Sequence, residues 1–331
     1  MPAYDAFLLV SFGGPEGPDD VMPFLENVTR GRNVPRARLL EVAEHYQAFG
    51  GISPINEQCR QLIADLSLPL PVYWGNRNWT PYLTDAVRAM AQAGVRRALA
   101  FVTSAYRSYS SCRQYLEDIE RARAAAGPDA PVIDKIGRFY DNPGFIGAFA
   151  ENVVAALATL PADLRDGAHL VFTAHSIPVA MAEVAGPGGH RYVTELTNAS
   201  RLINERTGAQ HPWSLAYSSR SGPPSQPWLE PDIGDHLADL AKSGVRAVVV
   251  VPAGFVSDHM EVRHDLDVEA AAVADSLGLA FARAATPGVR LAPMIAELVR
   301  AHLDGAAPQP CPAGCCLAES AWASGRGGET P

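Results

Sequence analysis

Four side chains in this sequence have the types and spacing for chemistry on a cation. Glu261, Asp265 and Glu269 recur at i, i+4 and i+8. On an α-helix that spacing makes a carboxylate ladder about 100° round from the apolar stripe of Val262, Leu266, Ala270, Val273 and Leu277. Like charges so spaced cost roughly 0.2–0.5 kcal/mol per pair, so the ladder predicts a bound cation; the bland alternative is a solvated acidic face. The fourth side chain is His175, at the end of the apolar run His169–Ala174. Alone, such a histidine is more often structural. Set beside an acidic helix that also starts at a strand end, it predicts a cleft in which imidazole and carboxylates face one ion.

Two strands must position these groups. Val248 to Val251 are consecutive valines, followed by Pro252, Gly254 and Ser257. They read as a central parallel strand that stops at a turn, with Ser257 or Asp258 capping the acidic helix. The run ending in His175 reads as a second buried strand. In open α/β sheets ligands bind beyond the carboxyl ends of the strands. Further strands are expected near residues 70–74, 97–103, 131–137, 213–217 and 279–283 and at 6–11, with helices such as Leu83 to Ala93, Cys112 to Ala125 and Arg191 to Arg206 between them. This alternation predicts an α/β fold of two doubly wound halves, each a parallel sheet with helices on both faces. The expected division is 1–143, 144–290, a closing helix within 291–305 that returns to the first half, and a Pro/Gly/Ala-rich tail, 306–331, poorly ordered apart from its cysteines.

Bulk properties exclude several functions. With 331 residues, 47% of them hydrophobic, the chain suits two domains of an ordinary globular protein. A net charge of −9 with dispersed Lys and Arg argues against a nucleic-acid partner. Every apolar run falls short of the ~18 residues of a membrane span, and Met1–Asp5 lacks the basic start of a signal peptide, so a cytoplasmic location is expected. The first strand leads into Ser11–Pro18, which is no dinucleotide-binding turn, and the Gly186–Gly189 stretch reads as a plain loop. Cys311, Cys315 and Cys316 crowd the tail, while Cys59 and Cys112 lie far upstream. Three cysteines within six residues predict thiolate metal ligands with a fourth from elsewhere; a redox-labile tail without metal is the alternative.

Six blocks, in order along nearly the whole chain, resemble the ferrochelatases, which insert ferrous iron into a porphyrin in haem synthesis. They are Phe12–Pro15, Arg30-Gly31-Arg32, Tyr46–Pro54, Thr173–Pro178, Ser219–Pro223 with Trp228–Pro231, and Gly254–Glu261. The resemblance implies two similar Rossmann-like domains with the site between them. It makes His175 and Glu261 the pair facing each other across the porphyrin, with Asp265 and Glu269 continuing a metal track. The block around Tyr46 resembles the soluble bacterial enzymes that use coproporphyrin III, and implies Phe12, Arg30, His45, Tyr46, Ser53 and Tyr115 as substrate contacts. His45 stands where many relatives have arginine, which makes one propionate anchor pH-dependent or absent. Phe12 stands where some have tyrosine, and offers no oxygen for axial ligation. Some members carry a [2Fe–2S] cluster on one internal and three C-terminal cysteines; the resemblance implies Cys112, Cys311, Cys315 and Cys316, with adjacent Cys315 and Cys316 pointing different ways.

The implied partners are a porphyrin and ferrous iron, with transient contact to neighbouring haem-pathway enzymes, and no integral membrane segment. Competing readings are a protoporphyrin IX ferrochelatase, a cobalt or nickel chelatase of the same fold, and a non-catalytic porphyrin carrier or Fe–S sensor.

Overall fold

The computed structural model describes residues 4–31, 34–222, 225–307, 311–312 and 314–317. Arg32 of the Arg-Gly-Arg turn, Pro223 and most of the expected tail lie outside the described residues. The first half runs β1 (Ala6–Ser11), α1 (Val21–Val28), α2 (Arg36–Ala48), α3 (Ile55–Asp65), β2 (Val72–Asn76), α4 (Leu83–Gln92), β3 (Arg97–Val102), α5 (Gln114–Ala126) and β4 (Val132–Lys135). The second runs α6 (Pro143–Thr159), β5 (His169–His175), α7 (Val179–Glu183), α8 (Arg191–Arg206), β6 (Trp213–Ser218), α9 (Ile233–Lys242), β7 (Ala247–Val251), α10 (Ala271–Ser276), β8 (Ala280–Arg283) and α11 (Ala292–Leu303). Two stretches wind as π-helix, Tyr109–Arg113 leading into α5 and Val262–Ala270 leading into α10.

The strands form two parallel sheets of the same order, β2-β1-β3-β4 and β6-β5-β7-β8. In each, the chain steps from the first strand to one side and then crosses to the other. The crevice between first and third strands is the place such a sheet leaves for a ligand. Strands β1 and β7 are buried throughout, which is why their sequences are unbroken apolar runs without alternation.

One core joins the two sheets. Phe7, Leu9, Leu99 and Phe101 of the first and Leu170, Phe172, Val249 and Val251 of the second belong to the same buried cluster. Helix α6 lies within it, with Phe145 and Phe149 fully buried. Phe101 stacks on Phe139 at 4.8 Å, and Phe139, Phe145 and Phe149 meet edge-to-face at 5.4 and 5.1 Å. Asn142 caps α6 by accepting from Gly144 N at 2.8 Å. Helix α11 packs on α3 and α6, so the last helix ties back to the first half. The α1–α2 hairpin has a small core of its own, Val21, Phe24, Leu25, Leu39 and Ala43. No helix among the described residues is long and apolar enough to cross a membrane.

Candidate active site

The crevice of the second sheet carries the titratable groups. His175 is the last residue of β5, and its backbone carbonyl accepts from the Tyr192 hydroxyl at 2.8 Å. Nδ1 lies against the Ser176 carbonyl. A carbonyl only accepts, so Nδ1 carries the proton and Nε2 presents a lone pair when the ring is neutral. Nε2 faces Glu261 Oε2 at 3.7 Å. That is too long for a hydrogen bond, and about the separation of two ligands bound to one ion at roughly 2.0–2.2 Å each. His259 Nδ1 stands 4.0 Å from the same carboxylate oxygen, and burial holds this imidazole below its ordinary pKa. His259 lies within the Gly254–Glu261 block, where its spacing alone assigns it no role.

A close backbone approach brings Glu261 there. Gly254 N donates to Thr173 O at 2.9 Å, and a Cβ on Gly254 would sit 2.5 Å from that of Ala174. Only glycine lets the turn after β7 lie flat on the end of β5. The expected cap by Asp258 is absent: its carboxylate is spent on Arg283, at 3.2 Å from both terminal nitrogens, and on the Thr286 hydroxyl at 2.9 Å. This pins the turn to the end of β8 instead.

The acidic helix differs from the expected α-helix. Over Val262–Ala270 the winding is π, with i→i+5 bonds, a form concentrated at functional sites. The ladder survives, since Asp265 feels both Glu261 and Glu269. A fourth group joins it. His264 and Glu269, five apart, come within 3.7 Å, and His264 Nδ1 is also 3.7 Å from Asp265 Oδ1. One ligand atom from each of the three lies within 4.8 Å of the others, so together they could hold a divalent ion. Burial pushes Asp265 up to about 7, against the bond it accepts from the Ser219 hydroxyl. Spacing on an α-helix gave no hint of His264, because the α period points it away from Glu269.

The first half supplies the opposite wall. Tyr46 on α2 is close enough for the Glu261 charge to add to the burial that raises its hydroxyl. Phe24 meets Phe12, Tyr46 and Trp79 at 6.0–6.4 Å, making an aromatic surface. Arg77, missed in the sequence, lies over the rings of Phe12 and Tyr115 at 5.9 and 4.8 Å. Arg30 is exposed. His45 stacks flat on His264 at 3.7 Å, across the two halves. Ser53 and Tyr115 are only 3% and 4% exposed, so in this conformation a propionate reaches neither.

The four cysteines expected together lie in two close pairs. Cys112 Sγ lies 3.7 Å from Cys311 Sγ, and Cys315 Sγ lies 3.7 Å from Cys316 Sγ. The expectation that Cys315 and Cys316 diverge is corrected: Cys316 takes a left-handed backbone, φ 53°, which turns its sulfur back toward its neighbour. Cys59 stands apart in the core beneath β1, its thiol pushed up to about 11 by burial.

A family model described as Ferrochelatase matches residues 4–303. A coproporphyrin III ferrochelatase of Nocardia farcinica is 56% identical, over 95% of this chain and 97% of that one. Those of Streptomyces coelicolor and Mycolicibacterium smegmatis are 50% and 52% identical, over 99% and 93% of this chain and 97% and 92% of theirs. Among solved structures, SirB from Bacillus subtilis with Fe3+ superposes with a TM-score of 0.54 at 12% identity, covering 89% of this chain and 94% of that one; this likeness concerns the fold. With the doubly wound halves and the matched length taken together, the chain belongs to the ferrochelatase family.

Proposed function

We infer that this chain inserts ferrous iron into coproporphyrin III, with His175 and Glu261 as the groups that act on the reacting atoms. The observation carrying this is the gap of 3.7 Å between His175 Nε2 and Glu261 Oε2, set in the crevice of a ferrochelatase. Metallation replaces two pyrrole N–H protons by Fe2+, so the site must accept two protons and admit one cation. The free Nε2 lone pair of His175 accepts a proton or ligates the arriving iron. Glu261 takes the second proton or the second ligand position. Asp265 and Glu269, with His264, form a row of donors along the π-helix toward that pair. Nitrogen and carboxylate donors suit Fe2+ but bind Zn2+, Co2+ and Cu2+ more tightly, so preference for iron comes from supply and geometry. The aromatic wall of Phe12, Phe24 and Tyr46 would support the macrocycle face, and Arg30, Tyr46 and His45 are the residues we assign to the propionates.

The four thiols fit a [2Fe–2S] cluster. Thiolates bound about 2.3 Å from one tetrahedral metal stand roughly 3.7–3.8 Å apart, which is the spacing within both cysteine pairs. Burial pushes Cys315 to about 11 and raises Cys316, while the contact with Cys311 and burial raise Cys112. Buried thiols held protonated in this way ionise readily only when a metal replaces their protons. Cys112, Cys311, Cys315 and Cys316 would hold the cluster, which when bound supplies a metal cross-link and a one-electron redox centre.

The test is anaerobic. The full chain receives Fe2+ with coproporphyrin III or protoporphyrin IX, the porphyrin bands are followed in time, and iron and labile sulfide are assayed beforehand. Turnover of coproporphyrin III well above protoporphyrin IX is expected. The reverse preference overturns the substrate, porphyrin binding without metallation overturns the reaction, and absence of sulfide overturns the cluster.

A further inference from the structure

The run from Ser104 to Cys112 follows β3 in the first half and lies on the seam with the second. Tyr106 is buried, and its hydroxyl donates to Ala253 O at 2.7 Å, in the turn that leads from β7 to Glu261. Arg107 donates from its backbone N at 3.0 Å, and from its guanidinium, to Glu195 on α8. Glu195 is itself buried, with Arg138 Nε 3.4 Å from the same Oε1 that the Arg107 guanidinium meets. Three residues before Glu195 on the same helix, Tyr192 holds the His175 carbonyl. Both members of the catalytic pair therefore hang on this seam, Glu261 by way of Tyr106 and His175 by way of α8.

The thiols seat the far end of the run. Cys112 meets the tail at Cys311, and Cys316 Sγ accepts from Gly186 N at 3.3 Å. Gly186 lies in the loop between α7 and α8, where a Cβ would press on Arg191 Cγ at 2.4 Å and Arg107 Cδ at 2.9 Å. The glycine stretch read from the sequence as a plain loop is thus the seat of the tail on the second half. The tail spans from one half to the other beside Arg107.

We propose that Tyr106 is a positioning residue for Glu261, and that the four-thiol group anchors the segment carrying Tyr106 to both halves. The anchoring part rests on the thiol reading above. Tyr106 is buried, and its hydroxyl holds the turn from which Glu261 projects. Its ring keeps its neighbours Tyr140, Phe145 and Tyr192 when only the oxygen is removed.

Two variants of the full chain test this. For Tyr106→Phe, porphyrin affinity and iron–sulfur content should stay at wild-type values. Amide exchange over residues 253–261 should speed up about tenfold, the worth of one buried hydrogen bond, and kcat should fall by a similar factor while KM for porphyrin holds. Unchanged exchange at 253–261 with unchanged kcat overturns the positioning role, as does a uniform rise in exchange across the sheets. For Cys311→Ser, faster exchange is expected at 104–113, 185–192 and 253–261 together; a change confined to 304–317 overturns the anchor. Iron and labile sulfide in the same samples keep the two readings apart. Spreading exchange in a chain that never holds sulfide retains the anchor and rejects the cluster, and a loaded cluster whose loss spreads nothing does the opposite.

Discussion

The two sheets repeat one topology, yet their crevices are built from opposite chemistry. Beyond the end of β1 the polar groups that fill the crevice are mostly amides and hydroxyls, buried and paired. Asn76 Nδ2 donates to Asn56 Oδ1 at 3.0 Å and to Thr80 O at 3.2 Å, Asn56 donates to Thr80 O at 3.0 Å and Gly14 O at 3.3 Å, and Thr103 Oγ1 meets Ser11 Oγ at 3.0 Å. A Cβ on Gly14 would meet that of Ser53 at 2.6 Å. That crevice is filled, and the buried charges beside it, Arg77 and Asp118, are closed into an ion pair at 2.9 Å. Beyond the end of β5 stand His175, His259, Glu261 and Asp265, partly solvated, with charged partners held at 3.7–4.0 Å. Satisfied neutral hydrogen bonds rigidify, whereas titratable groups kept short of contact leave room for an ion and a proton. The fold offers two equivalent places for chemistry; hydrogen-bond satisfaction makes one a wall and leaves the other a reaction centre.

Substitutions can break this contrast. The largest effect is expected from His175→Ala, which should lower iron insertion by about 10²–10⁴-fold, the range of a lost acid–base group, with porphyrin binding, read by fluorescence quenching, nearly intact. On the opposite wall, Asn76→Ala should leave kcat per folded molecule within about twofold, and destabilise by about 1–3 kcal/mol because Asn56 and Trp74 lose a buried partner. Denaturant midpoints report the second effect; a large loss of kcat there would erase the distinction between the crevices.

A subtler effect follows from the protonation of Asp265. Burial raises its folded pKa to about 7, so between roughly pH 4 and 7 the native state keeps a proton that the unfolded chain releases. Stability from this group is present at low pH and is lost as pH rises through that window. Asp265→Asn should therefore gain up to about 4 kcal/mol relative to the parent at pH 8, with the gain fading toward pH 4 in thermal melts. The smallest change is expected from the exposed Arg30. Arg30→Ala should raise KM for coproporphyrin III only a few-fold, increasingly so at low salt, because exposed ion pairs are worth about 0–1 kcal/mol.

Much of this protein was legible along the chain. The valines of β7 and the run ending in His175 declared buried parallel strands. His175, Glu261 and the acidic ladder stood out by type and position. Other features stayed hidden for stated reasons. The aromatic wall draws on Phe24 and Trp79, whose sequence surroundings look like ordinary core. Arg77 lies in a loop, where side-chain direction follows from no periodicity. Tyr106 and Tyr192 act through single hydroxyls on carbonyls more than a dozen residues away.

The sequence by itself determined the alternation of strands and helices, the apolar faces and the inventory of titratable and thiol groups. These depend on local periods of two and 3.6 residues and on side-chain type. The tertiary structure alone decided that residues 262–270 wind as a π-helix, bringing His264 to Glu269, and that Asp258 serves Arg283 in place of a helix end. It also decided that Cys112 meets a sulfur 199 residues away. Each of these is a choice among locally comparable backbone or side-chain partners, and only packing between distant segments makes one of them lower in free energy.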